Sequence, residues 1–132
     1  MSGASATPRR RPVVVVAEDD AAIRRMIIQL LSEDCDVVEA ADGMQALQSI
    51  REMKRLPDLI VTDVMMPRLD GLGLLQQLRN DERGKAVPVI ILTAKSRPMD
   101  VITGINAGAR HYLTKPFKRD QLMEKVKRIL RL

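Results

Sequence analysis

Leu59-Ile60-Val61-Thr62-Asp63-Val64-Met65-Met66-Pro67-Arg68-Leu69-Asp70-Gly71 is the stretch that decides how this chain folds. The apolar run from Leu59 suits a buried strand, and it delivers the carboxylate of Asp63 into a turn marked by Pro67 and Asp70-Gly71. That is the edge at which open α/β sheets place their ligands. Other runs end in the same way. Val13-Val14-Val15-Val16-Ala17 leads into Glu18-Asp19-Asp20, and Val89-Ile90-Ile91-Leu92 leads into Thr93-Ala94. The short run at His111-Tyr112-Leu113 leads through Thr114 to Lys115-Pro116. Acids, a hydroxyl and an ammonium are therefore expected at one sheet edge.

Outward from this stretch, apolar runs alternate with amphipathic segments. Asp20 is the expected N-cap of a helix with Ile23, Ile27, Leu30 and Leu31 at helical spacing. A strand from Asp36 to Ala40 follows, and Asp42 caps a helix that turns Ala46, Leu47, Ile50 and Met53 inward until Pro57 stops the path. Beyond Gly71, Leu72, Leu74, Leu75 and Leu78 predict a third helix, and Gly84 and Pro88 punctuate the approach to the fourth strand. A fourth helix is expected over residues 97–106, with Pro98 in its first turn and Gly104 in its interior. The last helix places Leu122, Val126, Ile129 and Leu130 on one face. The pattern is (βα)5, an α/β chain whose parallel sheet is covered by helices on both faces.

At 132 residues and 45% hydrophobic composition the chain is sized for one domain with one packed core. Residues 1–12 read as a flexible basic arm and 13–132 as the folded domain. No apolar run approaches a membrane span and the first residues lack a secretory signal, so a cytoplasmic location is expected. The lone Cys35 can form no internal disulfide and is read as packing. One Phe, one Tyr and no Trp leave no stacking platform for bases. The net charge of +5 is uneven: residues 1–12 carry +3, residues 13–96 carry −4 and residues 97–132 carry +6.

These motifs, in this order, resemble those of response-regulator receiver domains of two-component signalling, over Val13 to Leu132. The resemblance implies a flavodoxin-like five-stranded sheet of order 2-1-3-4-5. It implies that Asp63 is the phosphoacceptor, that Glu18 and Asp19 belong to a Mg²⁺ site with Asp19 the direct ligand, and that Met65 lends that site its backbone carbonyl. Carboxylates gathered in this way repel one another without a cation, and hard oxygen donors suit Mg²⁺. The same resemblance makes Thr93 the switch hydroxyl, Lys115 the lysine that contacts Asp63 and later a phosphoryl oxygen, and Tyr112 the aromatic switch residue. A cis bond at Lys115-Pro116 would hold that lysine toward the site.

Plainer readings stand beside these. Thr93 can satisfy the local backbone, Lys115 can be a solvated surface charge, and Tyr112 can be half-buried with its hydroxyl toward solvent. Asp20 is a cap outside the site, and Asp70-Gly71 is structural. His111, the only histidine, is read as a surface residue, and the methionines as core filler.

The sequence departs from many receivers at Arg110-His111, where an acidic pair is common. In the transcription-factor branch of the family those acids take part in salt bridges across a symmetric dimer built from the fourth and fifth helices, a support that Arg110-His111 does not supply. Lys118-Arg119 is also poorly matched to a helix N-terminus, although Asp120 offsets it. The expected function is a stand-alone receiver, not a turnover enzyme. It would take phosphate from a histidine kinase or histidine phosphotransfer protein and switch its affinity for a protein target through the basic face of the fourth helix, fifth strand and last helix. Met65 and Lys95 flank the expected path of the hydrolytic water and predict a long-lived aspartyl phosphate.

Two other classes compete with this reading. A haloacid-dehalogenase-type phosphatase also uses an aspartyl nucleophile, but it needs Asp-x-Asp after the first strand, a spacing that Glu18-Asp19-Asp20 lacks. A basic nucleic-acid-binding module would use the positive final third, yet the chain has no helix-turn-helix, zinc-ligand set or aromatic platform, so a nucleic-acid partner is not expected.

Overall fold

The computed structural model describes residues 10–94, 99, 102, 106, 108–109 and 111–132. Strands β1 (Val13–Ala17), β2 (Asp36–Ala40), β3 (Leu59–Asp63), β4 (Val89–Ala94) and β5 (His111–Lys115) alternate with helices α1 (Ala21–Leu31), α2 (Gly43–Glu52), α3 (Gly71–Arg79) and α4 (Arg119–Leu130). The strands are parallel and lie in the order β2-β1-β3-β4-β5, as expected. Of the helix expected over residues 97–106, Met99, Ile102 and Asn106 are helical. The rest of that segment, Lys95, Arg110 and the arm before Arg10 lie outside the described residues.

Period-two alternation along the central strands builds a core on each face of the sheet. Val14, Val16, Leu59, Val61, Ile90 and Leu92 pack against Ile27 and Leu31 of α1 and Leu122 and Val126 of α4. Val15, Ile60 and Ile91 pack against Ala46, Leu47 and Ile50 of α2 and Leu74, Leu75 and Leu78 of α3. Cys35 is buried in the first of these layers, and burial raises its thiol pKa, so it is packing as expected. Among the described residues no helix is long and apolar enough to cross a membrane.

The helix starts follow the sequence closely. Asp20 accepts from the amides of Ala22 and Ile23, Asp42 from Gln45 and Asp70 from Gly73, each satisfying donors that a helix N-terminus leaves open. Lys118, ahead of α4, makes no side-chain cap; its own amide donates to Gln121 Oε1 at 2.8 Å. Strands β4 and β5 run further than their apolar stretches, through Ala94 and Lys115, because Thr93 pairs with Thr114 and Ala94 with Lys115 in the ladder.

Candidate functional site

Parallel strands end together, so register decides which side chains meet at the carboxyl edge. Ala17 pairs with Thr62, Asp63 with Leu92 and Ala94 with Lys115. Glu18 follows β1 directly and is fully buried. Its amide donates to Ala40 O at 3.1 Å, and its Oε2 accepts the Asp20 amide at 3.1 Å. Asp19, the next residue, is exposed, whereas Asp63 is buried at the end of β3. Carboxylate oxygens of Glu18, Asp19 and Asp63 lie within 4.8 Å of one another. Asp20 is turned to its capping role, outside this cluster, as expected.

Lys115 enters the cluster from β5. Its Nζ lies 2.6 Å from Glu18 Oε1 and 2.9 Å from Asp63 Oδ2, and the Lys115-Pro116 bond is cis. The ammonium is therefore inside the site and not a surface charge. Burial alone would lower the Lys115 pKa, but its hydrogen bonds to Glu18 and Asp63 outweigh that and raise it. Glu18 responds differently. Desolvation pushes its carboxyl up to about 7, against the opposing hydrogen bonds from Lys115 and the Asp20 amide, and the Asp63 charge adds to the rise. One ammonium shared between two acids leaves the fully buried one under-compensated.

Thr93 is buried next to this edge, and its Oγ1 donates to Ala94 O at 3.4 Å, a long contact that fits the local-backbone reading. Tyr112 packs against the α2/α3 core layer, and its hydroxyl donates to Ala109 O at 3.0 Å. The residue is half-buried, as the plainer reading has it, and a backbone carbonyl gives its hydroxyl an acceptor. Met65 is 53% exposed in the turn after Asp63. That turn is held at both ends. Gly71 donates to Val64 O at 2.8 Å, and a Cβ on Gly71 would collide with the Asp63 carbonyl, so the residue there must be glycine. Gly43 donates to Leu69 O at 2.9 Å, and Arg68 Nε donates to Asp42 Oδ2 at 3.0 Å. His111 is half-buried at the start of β5, away from the carboxyl edge.

Sequence reasoning passed over two arginines. Arg68 ties the turn to α2, and Arg24 donates through Nη1 to Glu18 O at 2.7 Å. A signal for Arg24 was present. A cation in the first turns of a helix opposes the helix dipole, so it needs a partner of its own.

A family model described as the response regulator receiver domain matches residues 14–127. The chain is 38% identical to the DNA-binding response regulator MtrA of Mycolicibacterium paratuberculosis over 122 residues, which is 92% of this chain and 52% of that protein. It is 40% identical to hybrid signal transduction histidine kinase D of Dictyostelium discoideum over 88% of this chain and 7% of that protein. The chain thus spans about half, or far less, of the curated relatives it matches. Among solved structures, chemotaxis protein CheY4 of Vibrio cholerae superposes with TM-score 0.83 at 29% identity, covering 91% of this chain and 99% of that one. The receiver domain of sensor histidine kinase PA1611 of Pseudomonas aeruginosa, solved with a magnesium ion coordinated in its active-site cleft, superposes with TM-score 0.82 at 31% identity. That match covers 93% of this chain and 100% of the other.

Proposed function

Because the chain belongs to the response regulator receiver domain family, we propose that Asp63 accepts a phosphoryl group from a phosphohistidine and that the modified domain changes its affinity for a protein target. Receiver domains are phosphoacceptors rather than turnover enzymes, and they exchange phosphate with histidine kinases or phosphotransfer proteins. The observation that carries the reading to this chain is the Lys115 ammonium, hydrogen-bonded to both Asp63 and Glu18, at the rim of an acid cluster completed by Asp19.

In the proposed transfer an Asp63 carboxylate oxygen forms the new O–P bond as the P–N bond to the donor imidazole breaks. The bonding pair leaves with the imidazole. Lys115 places a fixed positive charge where phosphoryl oxygens would develop negative charge. Glu18, Asp19 and Asp63, with the Met65 carbonyl, would hold Mg²⁺; clustered hard oxygen donors fit that ion, and one magnesium-bearing relative supports the choice. When bound, the ion supplies further neutralisation of the phosphoryl charge.

The Thr93 hydroxyl has only a 3.4 Å contact to give up, so turning it toward a phosphoryl oxygen costs little. Tyr112 lies on the neighbouring strand and would follow through the space released. The altered surface would then include β5 and α4, the latter carrying Arg119, Lys125, Lys127 and Arg128. We assign residues 13–132 to the receiver and residues 1–12 to a basic arm ahead of it. The decisive experiment is mass spectrometry after exposure to acetyl phosphate or phosphoramidate with Mg²⁺. One phosphoryl adduct that disappears in Asp63→Asn is expected; an adduct retained in that variant would overturn the assignment.

A further inference from the structure

Glu18 is anchored from every side, and one anchor is a side chain that the phosphoacceptor chemistry does not use. Arg24 reaches back from the first turns of α1, with its side chain only 18% exposed. Its Nη1 donates to the Glu18 carbonyl at 2.7 Å, and its Nε lies 3.4 Å from Glu39 Oε1 on β2. Glu39 precedes Ala40, whose carbonyl accepts the Glu18 amide. A single guanidinium therefore joins α1, the end of β1 and the end of β2 around the residues that carry Glu18 and Asp19. Glu18 is fully buried, so water does not readily replace this donor on its carbonyl.

We propose that Arg24 is the positioning residue of the acid cluster: it fixes the backbone at Glu18 so that the Asp19 carboxylate meets those of Glu18 and Asp63 in a geometry ready for a divalent cation. The proposal rests on the receiver reading and names a residue that acts through the backbone, not on the ion or the phosphoryl group.

Two consequences of Arg24 oppose each other. As a positive charge it repels a divalent cation, and as a clamp it prepares the site for one. Glu39 decides between them. Paired with Glu39, the guanidinium adds little net charge at the cluster, while its planar fork still spans the two partners. Unlike Lys115, it bonds no carboxylate oxygen of the clustered acids, only the Glu18 backbone carbonyl, so it need not move when they take up an ion. The clamp therefore outweighs the charge, and removing Arg24 should weaken cation binding even though a positive charge is lost.

The test is Mg²⁺ affinity of the whole chain, measured by calorimetry and by the amide shifts of Asp19 and Asp20 in nuclear magnetic resonance titrations. Arg24→Ala should raise the Mg²⁺ dissociation constant by about tenfold, the scale on which supporting residues act on metal sites. Arg24→Lys keeps the charge but cannot span both partners, and it should fall between wild type and Arg24→Ala. Phosphorylation by acetyl phosphate should drop at limiting Mg²⁺ and recover at saturating Mg²⁺ in both variants. Unchanged or tighter Mg²⁺ binding in Arg24→Ala would overturn the proposal, since loss of charge alone gives that direction. Should Arg24→Ala fail to fold, Arg24→Lys carries the test, because it holds the charge constant and loses only the fork: weaker Mg²⁺ binding supports the clamp, and unchanged binding overturns it. Failure of Asp63 to load at any Mg²⁺ concentration would instead refute the receiver reading, so the two failures are distinct.

Discussion

Lys115 holds two carboxylates with one ammonium, and that imbalance makes it the residue most exposed to test. Replacing it with alanine leaves Glu18 and Asp63 without their cation in a site that is mostly buried. Lys115→Ala should therefore destabilise the metal-free protein by roughly 1–3 kcal/mol, below the full cost of an uncompensated buried charge because the lysine keeps some solvent contact. Added Mg²⁺ should recover more stability in the variant than in wild type, and chemical denaturation with and without the ion reads both effects. Met65 belongs to the same scale. Its exposed thioether beside Asp63 cannot orient an attacking water, so Met65→Asn should shorten the life of the aspartyl phosphate in a decay time course. Equal decay in both proteins would show that this side chain does not govern water access.

At the scale of elements, the turn after β3 is braced against the start of α2. Asp42 serves that junction twice, capping α2 through the Gln45 amide and pairing with Arg68, which itself has a positive φ of 68°. Burial would raise the Asp42 pKa, but the Gln45 amide and the Arg68 guanidinium outweigh it and hold the carboxyl below its ordinary value. A depressed folded pKa contributes stability that is present above the ordinary aspartate pKa, about 3.9, and is lost as pH falls through the folded value. Asp42→Asn keeps a capping oxygen but removes this charge. The variant should be less stable than wild type at neutral pH, and the gap should narrow below about pH 4, as measured by thermal unfolding across pH.

For the whole molecule, the central strands alternate their side chains between two core layers that share one sheet. Leu74, on the inner side of α3, and Leu122, on the inner side of α4, belong to opposite core layers and are both fully buried. Each truncation to alanine should cost about 2–5 kcal/mol. Because the layers are coupled through the same strands, both variants should unfold in a single transition coincident by fluorescence-independent probes such as circular dichroism and amide exchange. Two separable transitions in either variant would show that the faces fold as independent units.

The order of strands and helices, the caps at Asp20, Asp42 and Asp70, and the gathering of Glu18, Asp19, Asp63, Thr93 and Lys115 at one edge were legible in the sequence. Each follows from local chemistry: period-two and period-3.6 apolar patterns, short polar side chains that satisfy open amides, and the rule that parallel strands end together. The strand order itself came from family resemblance and not from any pattern in the residues. Tertiary structure alone decided the extension of β4 and β5 through Ala94 and Lys115, because ladder pairing continues where hydrophobicity stops. It alone turned the Tyr112 hydroxyl to Ala109, joined Arg68 to Asp42 and brought Arg24 back onto Glu18 and Glu39. Those contacts depend on where distant strand ends and loops meet in space, which periodicity along one chain does not encode.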